Sequence, residues 1–109
     1  MTVLELTKAL DLEILALPEP CREINGAYAG DLLSWVMGRA REDNVWTTIM
    51  TNNNVLAVAS LINLSCVIVC ENSEVEPATI ELAKTKEVNL LRTSRTIYEA
   101  CAALAQLSL

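Results

Sequence analysis

The chain has 109 residues, of which 52% are hydrophobic, 14 are acidic and 8 are basic, so its formal net charge is −6. We predict a single domain spanning residues 1–109, because a chain of this length holds one hydrophobic core. Nucleic-acid binding and adhesion to anionic membranes both need clustered positive charge, whereas the basic residues here are scattered. The composition therefore argues against a nucleic-acid partner and against a membrane partner.

Targeting and membrane-spanning segments are not predicted. The N-terminal stretch MTVLELTKALDLEILAL contains Glu5, Asp11 and Glu13, whereas a signal peptide has a basic start and an uninterrupted apolar core. No apolar run reaches the ~18 residues that a transmembrane helix needs. We therefore expect a cytoplasmic protein.

The four cysteines predict neither a metal site nor a disulfide framework. Cys66 and Cys70 lie in a predicted strand and are about 13 Å apart at ~3.3 Å per residue, too far to bind one ion. The sequence contains no histidine and no CxxC motif. We expect reduced thiols that pack as small apolar groups, and no cofactor.

The N-terminal third is predicted to contain one helix and two strands. Thr2–Leu10 is predicted as a helix, because Thr2 and Glu5 have the spacing of a capping box ahead of an apolar stripe. Leu12–Leu17 is predicted as a strand, although a continuation of the helix fits the pattern as well. Arg22–Ala27 is predicted as a second, weaker strand.

The centre of the chain, from the second helix to the second buried strand, has the pattern of a βαβ unit preceded by a helix. Asp31 is predicted as the N-cap of a helix over Leu32–Arg41. Val45–Met50 is rich in β-branched and aromatic residues, as strands are. The polar run TNNN, Thr51–Asn54, then precedes a helix over Val55–Ile62 that is apolar almost all round.

The C-terminal third continues the alternation of strands and helices. Cys66–Cys70 is a continuous apolar run typical of a strand that is buried on both faces. Pro77–Lys86 is predicted as a helix with proline in its first turn. Val88–Leu91 is predicted as the last strand and Ile97–Leu107 as a closing helix.

These elements predict an α/β fold in which a mostly parallel sheet of about five strands carries helices on both faces. Connections between parallel strands are right-handed, and this restricts the topology to few choices. We expect Val45–Met50, Cys66–Cys70 and Val88–Leu91 to be parallel neighbours or near neighbours in the sheet.

The motifs of common catalytic sites are absent. There is no GxxxxGK[ST], GxGxxG, HExxH or GxSxG sequence. Without histidine, the Ser-His and Cys-His pairs of nucleophilic catalysis cannot be built. We therefore predict that the chain is not an enzyme.

Polar turns that follow the predicted strands form the candidate binding site. Turns at the carboxyl ends of parallel strands converge at one edge of the sheet, where ligands bind in open α/β folds. Helix N-termini there favour anions, and arginine adds a cationic donor. The residues predicted to line one shared cleft are Tyr28, Asp31, Thr51, Asn52, Asn53, Asn54, Thr93, Ser94 and Arg95.

Ordinary helix capping is the alternative explanation for these polar residues. Capping is the favoured explanation for Asp31, Thr93 and Ser94 taken alone. The run Thr51–Asn54 favours a binding role, because one helix cap needs one such residue and not four. An adenine nucleotide is the ligand predicted for the cleft.

Three stretches carry a resemblance to a known family: GAYAGDLLSWVMGRA, VWTTIMTNNNVLAVASL and NLLRTSRTIYEACAAL. Together they resemble small stand-alone DRTGG-domain proteins, with REINGAYAG at the place of the DRTGG motif. This domain is similar to the N-terminal domain of HPr kinase/phosphorylase, and it also occurs between CBS domains in regulated pyrophosphatases. The resemblance implies an α/β regulatory or assembly domain that often self-associates.

Three functions follow as hypotheses, and a phosphotransferase fragment is the least favoured of them. The first is a regulatory module that binds a small ligand, such as a nucleotide or phosphorylated compound, at the strand-end turns. The alternative is a ligand-free module for dimerisation or for docking to a larger enzyme complex. Mean hydropathy is high, at +0.34, so part of the apolar surface is expected to lie in a subunit interface. We expect a homodimer, because two-fold assemblies are the commonest.

Overall fold

A computed structural model describes the whole chain, from Met1 to Leu109. It contains five helices and five strands in the predicted order, and all but the second strand overlap half or more of their predicted residues. In chain order they are α1 (Val3–Ala9), β1 (Glu13–Ala16), β2 (Ala27–Ala29), α2 (Leu33–Arg39), β3 (Val45–Thr48), α3 (Asn53–Leu61), β4 (Cys66–Val69), α4 (Pro77–Thr85), β5 (Leu90–Arg92) and α5 (Ile97–Gln106).

The five strands form one sheet in the order β1-β5-β4-β3-β2. Strands β2 to β5 are parallel neighbours in chain order, while β1 lies antiparallel to β5 at the opposite edge. The predicted parallel arrangement of β3, β4 and β5 is confirmed. Because the crossovers all run in one direction, α2, α3 and α4 lie on one face.

Each face of the sheet has its own hydrophobic core. Trp46 and Val67 pack with α2, α3 and α4, whereas their chain neighbours Val45 and Cys66 pack with α1 and α5. Every residue of β3 and β4 is buried, as expected for strands that are covered on both faces. The predicted α/β class, with helices on both faces of a mostly parallel sheet, is confirmed.

The second strand differs from the predicted Arg22–Ala27 and covers Ala27–Ala29 instead. The segment before it pairs with the N-terminus: the Val3 N–H donates to the Arg22 carbonyl at 2.9 Å, and the Ile24 N–H donates to the Met1 carbonyl at 3.0 Å. These bonds use the backbone groups that the predicted strand would have offered to the sheet.

The predicted N-cap of α2 was wrong. Leu32 occupies the cap position and makes no side-chain cap bond. The Asp31 carboxylate instead accepts hydrogen bonds from the Thr48 hydroxyl at 2.7 Å and the Ile49 N–H at 3.0 Å. It therefore joins the loop between β2 and α2 to the end of β3.

The TNNN run is partly helical. Asn52 is the N-cap of α3 and accepts from the Asn54 N–H at 2.9 Å, and the helix begins at Asn53, two residues before the predicted start. One face of α3 is buried, while Leu61 at its end is 71% exposed. None of the five helices has the length and apolar character that crossing a bilayer requires.

Candidate functional site

The carboxyl ends of β2 to β5 all meet at one edge of the sheet, because these strands are parallel. The antiparallel strand β1 begins at this edge, so its first residues lie beside the end of β5. The structure places eight of the nine predicted site residues after strand ends at this edge and Tyr28 within β2. Three cavities contain seven of the nine residues, and Asp31 and Asn54 line none of them.

The largest of these cavities, called here the arginine cavity, lies between the start of β1 and the end of β5 and has a volume of about 480 Å³. It brings Thr93, Ser94 and Arg95 of the predicted site together. Its lining is almost wholly polar: Leu10, Asp11, Glu13, Asn72, Arg92, Thr93, Ser94 and Arg95.

Two backbone hydrogen bonds hold the loops around the arginine cavity. The Glu71 N–H donates to the Arg95 carbonyl and the Asn72 N–H donates to the Thr93 carbonyl, both at 2.8 Å. Glu71 and Asn72 have φ values of 59° and 54°, a left-handed conformation that non-glycine residues adopt at a cost of about 1–2 kcal/mol each. The loop after β4 is thereby fixed against the loop after β5.

The two arginines of the cavity differ in their partners. Arg92 forms a bidentate ion pair with Glu13, with Nε to Oε1 at 2.9 Å and Nη2 to Oε2 at 3.1 Å. The carboxylate of Glu13 therefore neutralises the charge of Arg92. Arg95 makes no ion pair; its Nη1 donates to the Leu10 carbonyl at 2.6 Å and to the Thr93 hydroxyl at 3.4 Å. Its Nε and Nη2 make no hydrogen bond within the chain.

The arginine cavity therefore holds a cation that forms no ion pair and has free donors. The hydroxyl of Ser94, which is exposed, adds another donor beside the guanidinium of Arg95. The exposed carboxylate of Asp11, also in the lining, makes no ion pair and can accept hydrogen bonds. A ligand with an anionic group at one end and hydrogen-bond donors at the other matches this set.

The TNNN run lines a second cavity, called here the asparagine cavity, of about 340 Å³. Its other polar walls come from the loop before α4 and from that helix, and two carboxylates make this cavity acidic. The Asn53 side-chain carbonyl accepts from the Thr79 hydroxyl at 2.8 Å. The lining residues are Thr51, Asn52, Asn53, Glu74, Glu76, Ala78 and Thr79.

Tyr28 lines a third, mostly apolar cavity of about 200 Å³ beside α5, on the opposite side of the sheet from α2. The Asp31 carboxylate and the Asn54 backbone N–H each make local hydrogen bonds. Asp31 accepts from the end of β3, and the Asn54 N–H donates to Asn52. Eight of the nine predicted residues thus follow the ends of parallel strands, while Tyr28 lies within β2, and the nine do not share one cavity.

Burial disfavours nucleophilic chemistry at Cys66 and Cys70. Burial raises the pKa of Cys66 to about 12 and the pKa of Cys70 to about 11, so both stay protonated near neutral pH. All four cysteines are free, and Cys21 is exposed. No group of three or more Asp, Glu, Cys or His side chains lies in an arrangement that could hold a metal ion.

The residues contributed by the N-terminal segment were missed by the sequence prediction. Leu10, Asp11 and Glu13 reach the arginine cavity only because β1 pairs with β5, and the Glu13–Arg92 pair joins residues 79 positions apart. The only signal of this contact in the sequence was the opposite charge of Glu13 and Arg92, which lie at the ends of two short predicted strands. Without the sheet order, that signal could not be assigned to one site.

A search against protein families found no match, and no curated protein matches the chain. Among solved structures, the fold is similar to the CBS and DRTGG domains of the regulatory region of a Clostridium perfringens pyrophosphatase, crystallised with its activator, diadenosine tetraphosphate. The TM-score is 0.69 at 16% sequence identity, over 96% of this chain and 46% of that one. The chain thus spans less than half of that structure, and the likeness shows a shared fold.

Proposed function

We propose that the chain is a DRTGG-like, non-catalytic regulatory module that binds a nucleotide or another phosphorylated small molecule in the arginine cavity. The observation that carries this proposal is the free guanidinium edge of Arg95 in a polar cavity of about 480 Å³. Arginine offers planar paired donors that match phosphate oxygens, and it keeps its charge at any physiological pH.

The rest of the cavity suits the non-phosphate part of a nucleotide. The Asp11 carboxylate is an acceptor for ribose hydroxyls or for an exocyclic amino group, and the Asn72 side chain can both donate and accept. The pyrophosphatase region with the same fold was crystallised with a dinucleotide activator. That complex supports a nucleotide as the first ligand to test.

Ligand-induced thermal stabilisation tests the proposal. We expect ATP, AMP or diadenosine tetraphosphate to raise the melting temperature, because a ligand that binds only the folded state stabilises it. At one hundred times its Kd a ligand contributes about 2.7 kcal/mol, or roughly 10–20 °C for a domain of about this size. Inorganic pyrophosphate, tested in parallel, measures the contribution of the phosphates alone.

Two matched charge-removing variants assign the binding to the cavity. Arg95→Gln removes the free cation and is expected to reduce the shift at least by half, measured from the variant's own unliganded melting temperature. Lys84→Gln removes a positive charge near the end of α4, at the opposite edge of the sheet, and is expected to keep the full shift. Equal shifts for both variants, or no shift with any compound on folded wild-type protein, would contradict the proposal.

The alternative function, a docking module without a ligand, is favoured by a different observation. The first half of α2 and the residue before it expose large apolar side chains: Leu32 is 57% exposed and Trp35 is 52% exposed. Two large apolar side chains exposed at the start of one short helix are typical of a protein–protein contact surface.

A further inference from the structure

The outer face of α2 carries four exposed residues that do not pack in the hydrophobic core of the single chain. Val36 is fully buried against the core, so the opposite side of the helix faces outward. That side carries Ser34 and Gly38, four residues apart, with Trp35 and Met37 flanking them. Trp35 is 52% exposed and Met37 is 44% exposed. These four residues are called here the α2 face.

Gly38 has no role in the fold of the single chain. A Cβ atom built at this position would meet nothing within 4 Å. Glycine inside a helix is also less favourable than alanine. The missing side chain of Gly38 has a purpose only if the backbone of another helix approaches closely at this point. The small side chain of Ser34, on the same side of α2, also permits such an approach.

The charges at the two ends of α2 are complementary to each other. Asp31 precedes the helix, while Arg39 and Arg41 lie at and beyond its end; all three are exposed and none forms an ion pair. Arg39 lies over the Trp35 ring at 3.7 Å. Two such helices packed antiparallel about a two-fold axis would bring the arginines of each copy to Asp31 of the other.

We propose that the α2 face is the interface through which two copies of this chain form a homodimer. A two-fold interface must be self-complementary, and a central small-residue contact between oppositely charged ends meets that condition. Tryptophan, methionine and arginine are also the residue types enriched at protein interfaces. The helix is only ~10 Å long, so the interface is small and we expect a Kd of roughly 1–100 μM.

Sedimentation equilibrium at 10–100 μM, concentrations within the expected range of Kd, tests this proposal. The average mass of the wild-type protein should rise with concentration from near 11.9 kDa toward twice that value. Gly38→Ala adds a methyl group where the two helices meet, so it is expected to weaken dimerisation at least tenfold. The same change should leave the melting temperature of the dilute protein equal or higher, which shows that the monomer is intact.

Two glutamate variants locate the interface. Met37→Glu puts a carboxylate into the α2 face and is expected to give a monomer at all concentrations. Tyr98→Glu changes a side chain that is 82% exposed on α5, on the other side of the sheet, and is expected to dimerise like wild type.

A wild-type mass that stays near 11.9 kDa at 100 μM would overturn the proposal. So would a folded Gly38→Ala protein that dimerises as tightly as wild type, or an equal loss of dimer in the Tyr98→Glu control.

Discussion

Single side chains in the TNNN run have distinct tasks that the sequence pattern does not separate. Asn52 caps α3, whereas Asn53 accepts from the hydroxyl of Thr79, which is 8% exposed and belongs to α4. The sequence predicts a polar turn at a strand end, and this part is confirmed. The bond to Thr79 could not be predicted, because it depends on two helices that pack side by side on the sheet.

At this scale we predict that Asn53→Ala is destabilising and Asn54→Ala is not. Both changes gain the same helix propensity, but only the first leaves the Thr79 hydroxyl without its acceptor, at a cost of about 1 kcal/mol. Urea denaturation of the two variants measures the difference.

The matched double variant checks the cause. Replacing Thr79 with valine removes the hydroxyl, so Asn53→Ala combined with Thr79→Val should recover most of the loss. If the double variant is as unstable as the two single changes added together, the contact between Asn53 and Thr79 contributes nothing.

The sequence predicted the start of a helix best where the capping residues lie within the first turn of that helix. The predicted capping box of α1 is present, with Thr2 and Glu5 bonded reciprocally, and Thr96 caps α5 in the same way through Glu99. The start of α2 was mispredicted, since Asp31 is bonded to a neighbouring strand. Patterns within one turn can be read from sequence, whereas bonds between elements require the topology.

The capping boxes make helix stability depend on pH. Hydrogen bonds from the backbone and side chain of Thr96 lower the pKa of Glu99 from its ordinary value of 4.5. The folded chain therefore favours the charged carboxylate, whose contribution is present above pH 4.5 and is lost as pH falls through the lowered pKa. We expect Glu99→Gln to be less stable than wild type at pH 7 and to match it near pH 3.

Urea denaturation at both pH values measures this change. Glu74→Gln is the control, because Glu74 is exposed and makes no hydrogen bond, so its difference from wild type should stay near zero at both values. A Glu99→Gln deficit that persists unchanged near pH 3 would show that the carboxylate charge is not what stabilises the cap.

At the scale of the whole molecule, the sheet consists of four parallel strands that are adjacent in chain order and one strand, β1, that is distant in sequence from its partner. Strands β2 to β5 are neighbours in chain order, but β1 pairs with β5 across most of the sequence. The alternation of elements was enough to predict the parallel part and its class. The side on which β1 attaches was not encoded in any local pattern, and the arginine cavity depends on it.

This topology predicts that β1 joins the sheet late in folding, since long-range pairing carries the larger loop-closure cost. Ala16→Gly, in a residue of β1 that is 2% exposed, should mainly speed unfolding. Val45→Ala, in the central strand β3, should slow folding instead.

Stopped-flow folding and unfolding in urea gives both rates for each variant. An Ala16→Gly protein whose folding slows in proportion to its loss of stability would show that β1 is already paired at the rate-limiting step.

The same strand order has a consequence for the chain as it leaves the ribosome. Each of β2 to β5 emerges beside the strand to which it pairs, so the parallel sheet can grow at its edge during synthesis. The partner of Glu13 emerges 79 residues later, roughly 4–16 seconds at ~5–20 residues per second. Until then β1 has no strand to pair with in the sheet, so its backbone N–H and C=O groups stay open to pairing with other chains.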